Sequence, residues 1–146
     1  MSAGVTVGAL LGARGAGGLN LDLLAGSSGL DRRITIPHIQ KTGLALAGYD
    51  EYLRSGRVLI FGESEVRFLE QMAAAARSEI LRRLFARDFP CVLMTMGLDG
   101  PPELPSEAER AGVPLLRTSL PTAVAIARAT TYLEDEMAPR EMRHGV

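Results

Sequence analysis

The order of apolar and polar positions divides the chain into a β-rich first part and a strand–helix alternation that begins after Arg57. Continuous apolar runs, typical of buried strands, alternate there with stretches whose apolar residues recur every three or four positions. The pattern predicts three strands, at 58–61, 91–96 and 113–116. It also predicts helices beginning at Ser64, at Ser78, near Glu103 or Ser106, and at Pro121, the last running towards Met137.

Residues at the predicted helix ends suggest specific caps. Ser64, with Glu65 in the following turn, predicts an N-cap that complements the helix dipole. Ser106 and Glu109 have the spacing of a capping box, and Gly112 is a fitting residue to end that helix.

The first part of the chain is richer in glycine and lacks the strand–helix alternation. Residues 1–18 are rich in glycine. We predict that this segment, the lead-in, is flexible and contains a short extended piece and one helical turn. Strands are predicted at 19–25 and 34–36, joined by a turn over 26–29. The apolar segment 43–49 contains Gly43 and Gly48 and predicts a packing or functional loop.

Three successive runs of strand, connection and helix predict an α/β fold, since parallel strands need crossovers of this length. We therefore expect a mostly parallel sheet with flanking helices, and a smaller β-rich portion from the first ~50 residues. A chain of 146 residues fits one domain, spanning 1–146.

Composition narrows the classes of function. The formal net charge is −1 and basic residues are interleaved with acidic ones, so no basic surface for nucleic acid is predicted. No apolar stretch approaches the ~20 residues that a membrane span requires. Cys91 is the only cysteine and lies in an apolar run, which favours a buried thiol in a reducing, cytoplasmic compartment.

The motifs of catalysis are incomplete in this sequence. A phosphate-binding P-loop requires lysine followed by serine or threonine, and only Lys41-Thr42 qualifies, but Gln40 and Thr35 stand where its glycines belong. The glycines after Gly12 do not form the dinucleotide motif, and no G-x-S-x-G is present. His38 and His144 lie far apart and without metal-like spacing. We therefore predict no catalytic, cofactor or metal site in this chain.

A ligand crevice remains open as an alternative, because open α/β sheets bind ligands at the carboxyl ends of their strands. Serines near helix starts would present N–H groups to an anion, with Arg117 as the counter-charge. Plain helix capping is the preferred explanation of the same serines, because serine routinely caps helices. The candidate ligand or interface residues are Gly43, Gly48, Gly62, Ser64, Arg117, Thr118 and Ser119.

Six segments, taken in order, match a known family: 24–35, 43–49, 57–65, 89–94, 112–118 and 144–146. They resemble the N-terminal domain of HPr kinase/phosphorylase, the bacterial enzyme that phosphorylates and dephosphorylates a serine of the phosphocarrier HPr. The resemblance covers roughly residues 19–146. One departure stands at Gln40-Lys41-Thr42-Gly43, where the family usually has Asn-Arg-Pro-Gly.

The resemblance implies a fold similar to the substrate-binding domain of Mur ligases and hexamers in the full enzyme. It also implies that a kinase domain follows, with 140–146 as the start of the linker, and that ATP and Mg²⁺ belong to that domain. Partners would be the kinase domain, other copies of the chain, and an HPr-like phosphocarrier. The first hypothesis is thus a non-catalytic assembly or regulatory domain, and the second is a stand-alone sensor of a phosphometabolite or nucleotide.

Overall fold

The computed structural model describes residues 4–13, 18–43 and 55–139. The strands are β1 (Val5–Thr6), β2 (Asp22–Ala25), β3 (Arg33–Ile34), β4 (Gln40–Lys41), β5 (Leu59–Phe61), β6 (Val92–Met94) and β7 (Leu115–Arg117). The helices are α1 (Val7–Gly12), α2 (Glu63–Glu70), α3 (Ala74–Phe85), α4 (Glu103–Ala111) and α5 (Thr122–Met137). A short 3₁₀ turn covers Ser27–Gly29.

Five of these strands form one sheet in the order β2-β7-β6-β5-β4. The strands β4 to β7 run parallel, and β2 pairs antiparallel with β7 at one edge. The strands β1 and β3 form a separate antiparallel pair. The predicted α/β class with a mostly parallel sheet is confirmed.

Both faces of the sheet are covered, which explains why the central strands read as continuous apolar runs. Leu59, Val92 and Leu115 point to the face covered by α2, α3 and α4. Ile60 and Leu93 point to the opposite face, which is covered by α5 and the N-terminal elements. Each central strand therefore contributes to two apolar layers at once.

The first part of the chain is more closely integrated than the sequence predicts. Within the lead-in, Val7 and Leu10 of α1 are buried in the second layer. The strands β2 and β4 join the main sheet at its two edges, so only β1 and β3 form the expected separate β portion. Alternation of apolar residues showed strands here but gave no information on their partners.

Three local predictions are wrong. The second helix does not begin at Ser78, because α2 ends at Glu70 and α3 already begins at Ala74. Ser64 is not an N-cap, since Gly62 occupies that position. Ser106 lies inside α4, and Glu109 instead accepts a hydrogen bond from the Gly26 N–H at 2.8 Å. Gly112 does end α4 in the left-handed conformation, as predicted.

Cys91 is fully buried, as its apolar surroundings predict. Burial away from water disfavours the thiolate and raises the pKa of this thiol to about 12. The side chain is therefore a core residue and not a nucleophile at neutral pH.

Candidate functional site at the carboxyl edge of the sheet

The residues that follow the four parallel strands meet at one end of the sheet, which we call the carboxyl edge (42–43, 62–65, 95–98 and 118–122). A depression of about 510 Å³ lies there between the exits of β4, β5 and β6. It is lined by Lys41, Ile60, Gly62, Glu63, Ser64, Glu65, Arg67, Met96 and Thr122. This is the general ligand position of open α/β sheets, so the polar groups there decide what the edge can do.

Buried threonines follow three of the four parallel strands. The Thr42 hydroxyl donates to the Ile60 carbonyl, and the Thr118 hydroxyl donates to the Leu19 carbonyl at 2.6 Å. The Thr95 hydroxyl lies 2.7 Å from that of Thr122, the first residue of α5. These hydroxyls satisfy buried backbone groups and join neighbouring loops, so they stabilise the edge. Sequence reasoning singled out Thr118 but missed Thr42 and Thr95, although each directly follows a strand.

Two carboxylate side chains already lie at the start of α2. The Glu65 carboxylate accepts a hydrogen bond from the Gly62 N–H at 2.8 Å and lies at the N-terminal end of the helix. Glu63, in the same turn, forms an exposed ion pair with Arg67 at 2.7 Å. Because two carboxylates complement the helix dipole here, a bound phosphate at this position would face repulsion.

Arg117, the proposed counter-charge, has a partner in the structure. Its guanidinium lies 2.6 Å from a carboxylate oxygen of Asp99, whose side chain is largely exposed. Ser119 is exposed and lies three residues before α5, whose N-cap is Pro121. Neither residue points to a prepared anion site.

The exit of β6 is a strained turn. Met96 and Gly97 have φ values of +60° and +65°, and the Met96 side chain is 47% exposed. The Met96 N–H donates to the Leu120 carbonyl and the Gly97 N–H donates to the Thr118 carbonyl. The turn therefore ties the exits of β6 and β7 together and leaves a large apolar side chain in solvent.

The remaining candidates fall at different places. Gly62 is buried, and a Cβ on it would lie 3.1 Å from the Thr122 hydroxyl. Gly43 is exposed beside Glu65, and Gly48 lies outside the described residues. Ser64 lines the depression as an exposed residue of the first turn of α2. The structure thus brings Gly43, Gly62 and Ser64 together, and places Arg117, Thr118 and Ser119 further along the same edge.

Most of the polar groups described at this edge stabilise the fold. Its threonine hydroxyls, its helix-capping carboxylate and its arginines are engaged in the contacts described above. Over residues 4–13, 18–43 and 55–139, no group of three or more metal-ligating side chains comes together. None of the helices in those ranges is long and apolar enough to cross a membrane.

Comparison with known proteins agrees with this architecture. The profile of the family described as HPr Serine kinase N terminus matches residues 5–133. The chain is 41% identical to HPr kinase/phosphorylase of Geobacter sulfurreducens over 129 residues, which cover 88% of the chain and 40% of that relative. It is 35% identical to HPr kinase/phosphorylase of Levilactobacillus brevis over 146 residues, covering 100% of the chain and 45% of that relative. The chain thus spans less than half the length of these relatives.

A solved structure shares the fold at low sequence identity. It contains the CBS and DRTGG domains of the regulatory region of Clostridium perfringens pyrophosphatase, in complex with the activator diadenosine tetraphosphate. The TM-score is 0.56 at 15% identity, and the match covers 79% of this chain and 44% of that one. The profile match and the level of identity to the two curated relatives show that the chain belongs to the HPr serine kinase N-terminal family.

Proposed function

We propose that this chain acts as a non-catalytic N-terminal domain of a protein of the HPr kinase/phosphorylase type, where it contributes to assembly or regulation. The observation that carries the proposal is the family match over residues 5–133, supported by 41% identity to a named HPr kinase/phosphorylase. ATP and Mg²⁺ would be bound by a separate kinase domain, and HPr would be the protein substrate of the whole enzyme.

The carboxyl edge supports a scaffold role over catalysis. Its buried hydroxyls hold backbone carbonyls, and Arg117 is paired with Asp99. Glu65 caps α2 and leaves the helix start negatively charged. A catalytic base or nucleophile needs an accessible, activated side chain in a prepared cleft, and these polar groups are instead engaged in holding the fold.

The same proposal includes the cytoplasm as the location and self-association as one contribution to assembly. The N-terminal region of a multidomain enzyme reaches its own kinase domain at a high effective concentration, so even a weak contact between the two would be populated. The sensor alternative is less well supported, since the helix start that it would use is already occupied by Glu65.

A chimaera tests the proposal directly. The matching 129-residue region of the Geobacter sulfurreducens relative is replaced by this chain, and a second form lacks the region altogether. We expect the chimaera to phosphorylate HPr on serine and to show the mass of the parent assembly. We expect the truncated form to differ from the parent in mass or in the regulation of its activity.

The isolated chain provides the matched control. Incubated with ATP, Mg²⁺ and HPr, it should give no phosphoserine by mass spectrometry. Phosphorylation of HPr by the isolated chain would contradict a non-catalytic role. A chimaera that matches the truncated form in both mass and regulation would contradict a role in assembly or regulation.

A further inference from the structure

The opposite end of the sheet carries a polar depression that the proposed function does not use. We call this end the amino edge, since it contains the residues that precede the parallel strands (55–58, 88–91 and 112–114) and those that follow β2 (26–29). The depression measures about 290 Å³. Its lining consists of Arg32, Arg33, Thr35, Ser55, Gly56, Asp88, Phe89 and Pro90.

Arg32 is held rigidly at one side of this depression. Its guanidinium donates to the carbonyls of Gly112 at 2.9 Å, Phe89 at 3.1 Å and Ala111 at 3.4 Å. These bonds fix a positive charge at the C-terminal end of α4, where the helix dipole favours it. Because the Arg32 side chain is already ordered, binding a ligand would cost little additional side-chain entropy.

Arg33 and two hydroxyl side chains complete the donor set. Arg33 is exposed, and its guanidinium donates to the Gly4 carbonyl at 3.4 Å, beyond the usual range of a hydrogen bond. Thr35 and Ser55 are exposed within the same lining. A guanidinium that can turn, next to free hydroxyl donors, suits a group with several oxygen acceptors.

The charges around the depression also favour an anion. Asp88 is the one carboxylate in the lining, against the two arginines. Arg57 follows the lining residue Gly56 in sequence, and its Nε is buried without a hydrogen-bond partner in the described structure. A buried donor without a partner costs about 1–3 kcal/mol, but Arg57 is not in the lining, so the charge balance of the depression rests on Arg32, Arg33 and Asp88.

We propose that the amino-edge depression binds a small oxoanion, such as phosphate or the phosphate group of a monoester. The volume of about 290 Å³ lies just below the roughly 300–1,000 Å³ typical of small-molecule sites, which favours a phosphate-sized group over a whole nucleotide. The site is separate from the carboxyl edge, and its occupancy is independent of whether the chain serves an HPr kinase.

The test is a titration of the chain with inorganic phosphate at constant ionic strength, followed by ¹H–¹⁵N NMR. We expect saturable shifts of the Arg33, Ser55 and Gly56 amides, with a dissociation constant of roughly 1 mM for so few contacts. A parallel titration with O-phosphoserine distinguishes free phosphate from a phosphate carried on a side chain: tighter binding of O-phosphoserine would identify the side-chain source.

Three variants make the assignment specific. Arg33→Gln should weaken phosphate binding about tenfold, because it removes a charged donor from an exposed position. Asp88→Asn should strengthen binding roughly threefold, since it removes the repelling carboxylate. Arg117→Gln, at the carboxyl edge, should leave binding unchanged. Shifts reproduced by sodium chloride alone, or a dissociation constant unaffected by both Arg33→Gln and Asp88→Asn, would overturn the proposal.

Discussion

The two ends of the sheet are built in different ways. At the amino edge, the turn over 26–29 packs backbone against backbone onto the residues before β7, and Arg32 binds three carbonyls. At the carboxyl edge, threonine hydroxyls join the loops, and the turn at Met96 and Gly97 is strained. The amino edge therefore tolerates less change than the carboxyl edge, although glycine turns are present at both.

This difference bears on the segments that resemble the HPr kinase family. Segment 24–35 contains Gly26, Gly29 and Arg32, and all three contact other parts of the protein itself. A resemblance based on such residues is evidence for a shared fold, and it is not by itself evidence for a shared ligand. The following predictions test the comparison between the edges, beginning with the largest expected effect.

Gly26→Ala should be the most damaging single change. Gly26 has a φ of +80°, and a Cβ would lie 2.1 Å from the Val113 carbonyl oxygen, closer than any real contact. The clash together with the left-handed backbone should reduce the free energy of unfolding by about 3 kcal/mol or more. Urea denaturation monitored by circular dichroism measures this loss.

The matched control is Gly97→Ala at the carboxyl edge. Gly97 has a φ of +65°, but a Cβ there would meet nothing within 4 Å. Only the backbone penalty remains, and we expect a loss of about 1 kcal/mol. Equal losses for the two alanine variants would show that the close packing at Gly26 does not distinguish the edges.

Arg32→Gln should have the second-largest effect. The change removes a part-buried guanidinium and leaves the carbonyls of Phe89, Ala111 and Gly112 without this donor. Loss of charge-assisted hydrogen bonds of this kind typically reduces the free energy of unfolding by about 1.5–3 kcal/mol.

Arg117→Gln serves as the comparison at the carboxyl edge. Its partner Asp99 has a side chain that is 89% exposed, so the ion pair is screened and should contribute about 0.5 kcal/mol or less. Chemical denaturation of both variants under identical conditions measures which of them loses more free energy of unfolding. A larger loss for Arg117→Gln than for Arg32→Gln would reverse the proposed ranking of the two edges.

The class of the fold and three of the parallel strands could be predicted, because continuous apolar runs are typical of strands that are buried on both faces. It did not predict that β2 and β4 border the same sheet, since strand pairing depends on contacts distant in sequence. One cap was missed for a related reason, since Glu109 accepts from the Gly26 N–H, which is distant in sequence. The cap of α2 is local, and there Glu65 accepts from the Gly62 N–H three residues earlier.

The function of the candidate residues stays a prediction. A depression lies at the carboxyl edge, but Arg117 is paired with Asp99 and Glu65 occupies the helix start. Residue types at strand ends show which side chains can meet. They do not show which of those side chains are already engaged by a partner from another loop.

Acid should weaken the ion pair that joins the first turn of α3 to the start of α4. The Arg77 guanidinium lies 2.7 Å from Glu103, and this hydrogen bond lowers the pKa of the Glu103 carboxyl below its ordinary value. A lowered pKa in the folded state stabilises the protein above the ordinary pKa of glutamate, and this contribution is lost as the pH falls through the folded value.

The variant Glu103→Gln isolates that contribution. The native protein should be more stable than the variant at pH 7, and the difference should shrink as the pH falls below about 4.3, the ordinary pKa of glutamate. Urea denaturation across pH 3 to pH 7, with Arg117→Gln as the exposed comparison, measures it. A stability difference that stays constant over this pH range would show that Glu103 acts through packing and not through its charge.

The smallest expected effect concerns the strained turn at the carboxyl edge. Met96 is a non-glycine residue at a φ of +60°, and its side chain is 47% exposed, so it loses little packing on removal. The left-handed conformation costs about 1–2 kcal/mol for an L-residue, part of which is offset by the greater freedom of glycine in the unfolded chain. Met96→Gly should therefore stabilise the protein by roughly 0.5 kcal/mol, as a small rise in the urea midpoint. Destabilisation by Met96→Gly would mean that the exposed methionine contributes packing at this edge, and the carboxyl edge would then be less tolerant than its open depression suggests.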